Sequence, residues 1–365
     1  MPDPMKLPDM PELMIAGPGE LHEEDLAAHG QQDIAHYGDV WVEIHNTTDA
    51  RIGELVDAAD APYLLPGTGT VGLDAAVANL FEPRQRVLVP NTGFFGTRLM
   101  EVALAHELEV VELPVEVGRA VDPDDVARRA GDFDGVLMVH VETATGIRHP
   151  IAETRRAMGP DGPLLVVDGI ASVGGEILSV DGDGIDALVT GTQKGLEAPP
   201  GIGIVALGPR GRARVEDRAT PVRSWYLDLK RWDWYRTHWP HHPHPVTMPT
   251  NLFIALGASL DRITAVGLEA WVARRAALAA KLRAGLAELG LQVVAPPGYE
   301  ANLVTAAYVE DPVAVVKHLL GIGIMISGGL APLASDVIRV GLMGRNANDT
   351  MVERLLEGIA AAISR

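Results

Sequence analysis

The middle of the chain, from about residue 86 to 207, alternates short apolar runs with segments of helical spacing. The apolar runs are rich in β-branched residues and almost unbroken, as strands buried on both faces require. They span 87–89, 110–113, 136–139, 164–167, 187–189 and 202–207. Residues 98–106, 122–130 and 151–158 lie between them and have helical spacing. This order predicts an α/β fold with a mostly parallel sheet flanked by helices and joined by right-handed crossovers.

The pattern changes after residue 207. Residues 223–244 hold four tryptophans and four histidines without a regular period, which predicts an irregular aromatic insertion rather than another β-α unit. A long helical region follows over about 251–289, in which Gly267 is a candidate break, and strands and helices then alternate to the end. We predict an N-terminal extension over 1–20, a large domain over 21–262 and a smaller C-terminal α+β domain over 263–365.

Composition excludes several classes of function. The 30 Lys and Arg residues against 49 Asp and Glu give a formal net charge of −19, so the basic surface needed for nucleic acid or an anionic membrane is missing. Cysteine is absent, which excludes disulfides, thiolate metal sites and cysteine nucleophiles. No apolar run is long enough to span a membrane, and residues 1–20 lack the features of a secretory signal. We therefore expect a cytoplasmic protein that binds neither nucleic acid nor membrane.

Lys194 and Asp168 are the first candidates for chemistry, because each follows an apolar run. The chain has only five lysines, and Lys194 stands in a small-residue turn after the run at 187–189. At the carboxyl edge of an open α/β sheet, such a lysine is either a surface ammonium or a desolvated amine able to form a Schiff base with an aldehyde cofactor. Asp168 closes the run at 164–167. It either caps a turn or meets a cation, such as the protonated ring nitrogen of pyridoxal phosphate.

Residues 66–70 (PGTGT) precede a helical pattern and form a candidate phosphate site. Free N–H groups and hydroxyls at the start of a helix bind phosphate. Residues 67–72 also match G-x-G-x-x-G, the dinucleotide fingerprint, but the apolar run before them is short and the next run ends in Val89-Pro90-Asn91, without the expected acid. A nicotinamide-dependent dehydrogenase is therefore a distant alternative, and a plain turn before a helix is another.

Short motifs along the chain occur in the order seen in one enzyme family. They are 67–70 (GTGT), 91–96 (NTGFFG), 142–146 (ETATG), 167–175 (VDGIASVGG), 192–195 (TQKG), 199–201 (PPG), 226–230 (YLDLK) and 339–344 (RVGLMG). With them, the chain resembles class V aminotransferases of the alanine–glyoxylate or serine–glyoxylate kind from about Ala16 onward. The resemblance implies the pyridoxal phosphate-dependent transferase fold of type I, with a large domain and a smaller C-terminal α+β domain.

The resemblance also implies roles for individual residues. Lys194 would carry pyridoxal 5'-phosphate as a Schiff base and then move the proton between the substrate α-carbon and the cofactor, while Asp168 would hold the pyridine nitrogen. Arg339 would bind the substrate α-carboxylate in a bidentate pair. Further cofactor contacts are implied for Thr68, Gly69, Thr70, Phe95, Thr143, Gln193, His244 and Thr247. Thr247 would reach in from a partner subunit, which implies a homodimer, and Phe95 would stack on the ring where relatives commonly have Trp.

The implied activity is transfer of an amino group from a small α-amino acid, resembling alanine or serine, to glyoxylate or pyruvate by a ping-pong route. Ala144 stands where relatives often carry Ser or Thr, and His244 where many carry Tyr, so the substrates stay open. A lyase or another pyridoxal enzyme of specialised metabolism is an alternative on the same fold. A pyridoxamine–pyruvate aminotransferase is disfavoured by the Thr-rich turn. A non-catalytic protein would leave Lys194, Asp168 and Arg339 unexplained.

The histidines of the 223–244 segment raise the question of a metal site. They are His238, His241, His242 and His244. The prolines among them break any helical spacing, and no carboxylate accompanies them closely. We therefore predict that the protein has no metal site.

Overall fold

The computed structural model describes residues 10–364. In chain order, the strands are β1 (Glu12–Leu13), β2 (Tyr63–Pro66), β3 (Arg86–Asn91), β4 (Glu109–Pro114), β5 (Gly135–Val139), β6 (Val141–Glu142), β7 (Ile147–Arg148), β8 (Leu164–Asp168), β9 (Ala187–Gly191), β10 (Ile202–Leu207), β11 (Val304–Tyr308), β12 (Ile324–Met325), β13 (Ser327–Gly328) and β14 (Val337–Gly341). The helices are α1 (Glu23–His29), α2 (Asp39–Leu55), α3 (Gly69–Leu80), α4 (Phe94–Ala105), α5 (Pro123–Ala130), α6 (Ile151–Met158), α7 (Pro209–Asp217), α8 (Leu229–His238), α9 (Thr250–Val266), α10 (Leu268–Glu288), α11 (Pro312–Gly321) and α12 (Asp349–Ile363).

A seven-stranded sheet in the order β2-β10-β9-β8-β5-β3-β4 forms the framework. Strands β9, β8, β5, β3 and β4 are parallel, whereas β10 runs antiparallel to both of its neighbours, β9 and β2. The predicted α/β architecture with a mostly parallel sheet is confirmed. Since β10 reverses direction between β2 and β9, β2 points the same way as the parallel strands. The carboxyl ends of β2, β3, β8 and β9 therefore meet at one edge of the sheet.

The hydrophobic side chains of the described chain form two main clusters. The larger one surrounds the seven-stranded sheet and extends from Trp41 to Val272. The smaller one joins α10, α11 and α12 to the three-stranded sheet β11-β14-β13, and it includes Met14 near the N-terminus. Strand β1 pairs in parallel with β12, so the N-terminal segment packs with the C-terminal elements. The domain boundaries given above stay a prediction.

Helices α9 and α10 meet at Gly267, where the chain bends by 89°. The residue has φ +84°, a conformation that favours glycine, which confirms the break expected there. In the part of the chain that the structure describes, no single helix has the length and apolar character needed to cross a membrane. The bent pair α9 and α10 meets those two criteria only when taken together.

The aromatic segment 223–244 contains a helix, α8, so the prediction that it is irregular throughout was wrong. The side chains of Leu229 and Trp232 are buried at i, i+3 spacing, while Trp225, Trp234 and Trp239 are exposed. The Trp232 indole N–H donates to the carbonyl of Tyr226 at 2.9 Å. Because only Leu229 and Trp232 of this helix are buried, it lacks the longer apolar stripe by which a sequence pattern shows a helix.

The attachment of the N-terminal segment can be tested at Gly341. Its N–H donates to the Met14 carbonyl at 2.8 Å, and a Cβ at this position would collide with the Ile15 carbonyl oxygen. We expect Gly341→Ala to cost about 1–3 kcal/mol, the usual range for overpacking, and to lower the midpoint of thermal unfolding measured by circular dichroism. Gly328→Ala on the neighbouring strand is the control, because nothing lies within 4 Å of a Cβ there. Equal midpoints for the two variants would contradict the close approach.

Candidate active site

A cavity of about 250 Å³ lies at the carboxyl edge of the seven-stranded sheet. Eight predicted site residues line it: Thr68, Gly69, Thr70, Phe95, Thr143, Asp168, Gln193 and Lys194. Leu73, Arg98, Val141, Ile170 and Ala171 complete the lining. The eight residues come from five separate parts of the chain, which the topology brings together because β2, β3, β5, β8 and β9 all end at this edge. Ligands of open α/β folds bind at this edge.

A larger cavity, of about 670 Å³, opens between α6 and α7. Its charged residues are already paired: Arg155 contacts Asp186 at 2.6 Å, and Arg210 donates to the carbonyl of Pro160 at 2.7 Å. The smaller cavity is the better candidate for the active site, because it holds the predicted site residues and includes polar groups without a partner, such as the Thr68 hydroxyl.

Lys194 follows β9 and is half-buried in the cavity wall. Burial lowers the pKa of its amine to about 8, the Arg339 guanidinium acts in the same direction, and Asp168 opposes both. The Nζ atom donates to the Ala16 carbonyl. Gly17 leaves room for the lysine, because a Cβ at that position would lie 2.5 Å from Lys194 Cδ. A desolvated amine of this kind is partly neutral near pH 8 and is therefore a nucleophile and a base.

Asp168 is the last residue of β8 and is buried. Burial raises the pKa of its carboxyl to about 6, while the Ile170 N–H, Lys194 and Arg98 act in the opposite direction. The N–H of Ile170 donates to Oδ1 at 2.9 Å. The two charged groups thus share one low-dielectric cavity, where each favours the ionised form of the other.

The start of α3 presents unused donors to the cavity. Thr68 is the N-cap residue, its hydroxyl makes no capping bond, and Gly69 and Thr70 begin the helix. Close by, Gln193 Oε1 is buried without a hydrogen-bond partner among residues 10–364. A Cβ on Gly191 would touch both this oxygen, at 2.8 Å, and the Gly69 nitrogen, at 2.9 Å. A side-chain amide and a helix N-terminus therefore converge, which is the arrangement that binds phosphate.

Glu142 is a buried residue of this region that the sequence analysis did not single out. Its Oε2 accepts hydrogen bonds from the N–H groups of Phe95 at 3.0 Å and Gly96 at 3.2 Å, and its Oε1 accepts from Ala144 at 3.0 Å. The carboxylate thus satisfies free donors at the start of α4 and positions Phe95. Burial raises the pKa of Glu142 to about 7, against the effect of these three donors. The sequence held one signal for such a residue. A helix was expected after residues 91–93, and the first N–H groups of a helix need an acceptor.

Arg339 lies on β14 and does not line the cavity. It is buried, and it donates from Nε to the Gly328 carbonyl at 2.8 Å and from Nη1 to the Thr143 carbonyl at 3.2 Å. The second bond ties it to a cavity residue. Its charge also lowers the pKa of Lys194, which indicates that the two cations are near each other.

His244 and Thr247 also lie outside the cavity lining. The His244 ring is buried, its Nε2 accepts from the Trp41 indole N–H at 2.7 Å, and its Nδ1 donates to the Val246 carbonyl at 2.7 Å. Both ring nitrogens are thus engaged within this chain, and the cofactor contact predicted for His244 stays a prediction. Thr247 is exposed, and its contact across a subunit interface stays a prediction.

The structure brings His36 to the histidines of the aromatic segment. Ring nitrogens of His36, His242 and His244 lie within 4.8 Å of one another, and His36 was not part of the cluster considered from the sequence. Both His244 nitrogens are already bonded, and His242 Nε2 and His36 Nδ1 share a hydrogen bond at 3.2 Å, so the three rings do not all have a free lone pair to offer a metal. The absence of a metal site stays a prediction.

Comparison with known proteins identifies the family. The model of the family Aminotransferase class-V matches residues 20–355. This chain is a class V aminotransferase. It is 32% identical over 374 residues to L-aspartate–glyoxylate aminotransferase of Paracoccus denitrificans (96% of this chain, 89% of that protein). It is 31% identical over 363 residues to alanine–glyoxylate aminotransferase of Oryctolagus cuniculus (96% and 92%). The crystal structure of ureidoglycine–glyoxylate aminotransferase from Bacillus subtilis superposes with a TM-score of 0.92, at 29% identity over 99% of this chain and 95% of that chain.

The family membership confirms the predicted fold type I and the predicted cofactor, because class V aminotransferases use pyridoxal phosphate. The dehydrogenase alternative is thereby set aside. The cavity fits the cofactor: it offers a desolvated amine at Lys194, a buried carboxylate at Asp168 and free donors at Thr68 and Gly69. The individual roles of these residues stay a prediction.

The buried carboxyl of Glu142 predicts a change in the pH dependence of stability. Its pKa in the folded protein is about 7, above the ordinary value of 4.5, so the folded state holds the proton more tightly and loses stability as pH rises through this window. Glutamine does not titrate. Glu142→Gln can lower the free energy of unfolding by an amount that does not depend on pH. Between about pH 5 and 8, we expect this free energy, measured by urea unfolding, to fall less in the variant than in the parent.

The control for this measurement is Glu101→Gln, an exposed position on the same helix that Glu142 caps. Its pH profile should run parallel to that of the parent. Parallel profiles for Glu142→Gln as well would show that Glu142 is ionised in the folded protein throughout the range.

Proposed function

We propose that the protein transfers the amino group of a small α-amino acid to glyoxylate or pyruvate by a ping-pong route. The observation that carries this proposal is the pairing of Lys194 and Asp168 in one buried cavity beside the unused donors of α3. When bound, pyridoxal phosphate supplies an aldehyde that takes up amino groups and a ring that stabilises negative charge at the substrate α-carbon.

The predicted site residues that line the cavity have separate tasks in this proposal. The Lys194 amine binds the cofactor and afterwards accepts and returns the proton of the substrate α-carbon at Nζ, for which a lowered pKa suits it. The Asp168 carboxylate holds a proton on the ring nitrogen. Thr68, Gly69, Thr70 and Gln193 bind the phosphate, and Phe95, held by Glu142, covers the ring.

The names of the relatives support glyoxylate as the acceptor. The three proteins compared above are aspartate–, alanine– and ureidoglycine–glyoxylate aminotransferases, so the acceptor is common to them and the donor varies. Arg339 suits the α-carboxylate that all amino-acid donors share, because a guanidinium binds a carboxylate through two parallel hydrogen bonds. We also propose that two subunits form a homodimer in which the exposed Thr247 reaches the partner's cofactor.

The proposed activity predicts a spectroscopic response. The visible band of the enzyme-bound cofactor should disappear on addition of one small donor, with alanine, serine, aspartate and glutamate tested separately, and glyoxylate should restore it. Lys194→Ala should lack the band of the parent, because the amine that binds the aldehyde is missing. A band that no donor bleaches would contradict amino transfer and favour a lyase or an unusual amine substrate.

The role proposed for Arg339 predicts that a variant can lose affinity for the substrate and still bind the cofactor. Arg339→Lys keeps the charge but loses the bidentate geometry, so we expect KM for the amino donor to rise about tenfold or more, with the cofactor band unchanged. Steady-state kinetics and the absorption spectrum check the two parts. Loss of the band would instead show that the bonds to Gly328 and Thr143 are needed to build the cavity.

A further inference from the structure

Arg98 is a cation of the active-site cavity to which no role has been given. It lies on α4, one turn after Phe95, and its side chain is half-buried. Among residues 10–364, only Arg98 and Lys194 contribute a positive charge to the lining of the cavity. Arg98 also lines an adjoining cavity of about 480 Å³, which Glu101 and Glu112 share. The guanidinium thus stands where the two cavities meet.

Two aromatic rings hold this guanidinium. Its carbon lies 4.9 Å from the centre of the Phe95 ring and 5.1 Å from that of the Phe94 ring. Such contacts stabilise a planar cation through its face and leave the N–H groups at its edge free to donate. The side chain is therefore fixed in place before any ligand arrives.

In the described part of the chain, the N–H groups at the edge of the guanidinium have no hydrogen-bond or ion-pair partner. The other cations near the site each have a hydrogen-bond partner within the protein: Lys194 donates to Ala16, and Arg339 donates to Gly328 and Thr143. The acidic groups that surround Arg98 are used elsewhere or lie beyond ion-pair distance. Glu112 accepts from Asn91, Glu142 from the start of α4, and Asp168 from Ile170, while Glu101 points into the adjoining cavity.

An oriented, half-buried guanidinium with free donors suits a ligand that brings its own negative charge. One such group is the phosphate of the cofactor, which carries up to two negative charges. The groups proposed to bind it, from Thr68, Gly69, Thr70 and Gln193, are all neutral, so a cation is still missing there. The adjoining cavity gives a second route, by which an anionic side chain of a substrate could reach Arg98 from the other side.

We propose that Arg98 binds an oxyanion inside the active-site cavity. The oxyanion is either the phosphate of the cofactor or a carboxylate on the side chain of a dicarboxylic amino donor. The first source depends only on the cofactor of the family, whereas the second rests on the proposed function.

The first arm of the test measures cofactor binding without catalysis. Full-length apoenzyme of the parent, Arg98→Gln and Arg98→Lys is titrated with pyridoxal phosphate and with pyridoxal, which lacks the phosphate, and binding is followed by absorption. If Arg98 binds the phosphate, Arg98→Gln should weaken pyridoxal phosphate binding by about tenfold or more and leave pyridoxal binding unchanged. Arg98→Lys should lie between the two.

The second arm measures substrate discrimination at saturating cofactor. If Arg98 binds a substrate carboxylate, Arg98→Gln should raise KM for aspartate and glutamate by about tenfold or more and leave KM for alanine and serine unchanged. Arg274→Gln is the matched control for both arms, since it removes one arginine from an exposed helical position that has no ion pair in the described chain.

Either selective effect supports the proposal and names the source of the oxyanion. Equal affinities and equal KM values in Arg98→Gln and Arg274→Gln would overturn it. If Arg98→Gln does not fold, Arg98→Lys decides, because it keeps the charge and the packing stem but not the fork of donors. A parent enzyme that binds the cofactor but transfers no amino group would refute the proposed function and leave the phosphate arm intact.

Discussion

Burial of Lys194 and Asp168 in the same cavity is the constraint on which the rest of this structure depends. Removal from water favours the neutral form of each group, so that burial moves the pKa of the lysine down to about 8 and that of the aspartate up to about 6. Each opposes part of this shift in the other. The fold must therefore hold an ammonium and a carboxylate close together, on two neighbouring strands, and still leave space for a ligand between them.

The reversed strand β10 solves this geometric problem. By running antiparallel between β2 and β9, it turns β2 so that Thr68 and the start of α3 face the same cavity as the ends of β8 and β9. Glycine allows the close approach that follows. A Cβ on Gly72 would lie 2.7 Å from a methyl group of Val189, and one on Gly191 would lie 2.9 Å from the Gly69 nitrogen. The helix N-terminus thus comes close enough to the strand ends for one small ligand to reach both.

Much of the site could be predicted from the sequence, because Lys194, Asp168 and Thr68 each follow a recognisable strand and sheet topology sends such positions to one edge. Glu142 and Arg98 could not be predicted in this way, since only contacts across the fold draw attention to them. Glu142 accepts hydrogen bonds from a helix about 46 positions earlier in the chain, and Arg98 contacts Phe95 but has no hydrogen-bond partner in the described chain. The surroundings of His244 could not be predicted for a related reason. Its sequence neighbourhood gives no sign that Trp41, two hundred residues away, occupies its ring nitrogen.

The N-terminal segment contacts both Lys194 and the strand that carries Arg339. The Met14 carbonyl accepts from Gly341, two residues beyond Arg339 on β14, and the Ala16 carbonyl accepts from Lys194. The strand that carries Arg339 is therefore linked to Lys194 through three residues of backbone, Met14 to Ala16. Gly341 has no room to slide past Ile15, so the segment packs directly against β14. Arg339 and Lys194, to which the proposed function assigns the substrate carboxylate and the cofactor, thus share one structural support.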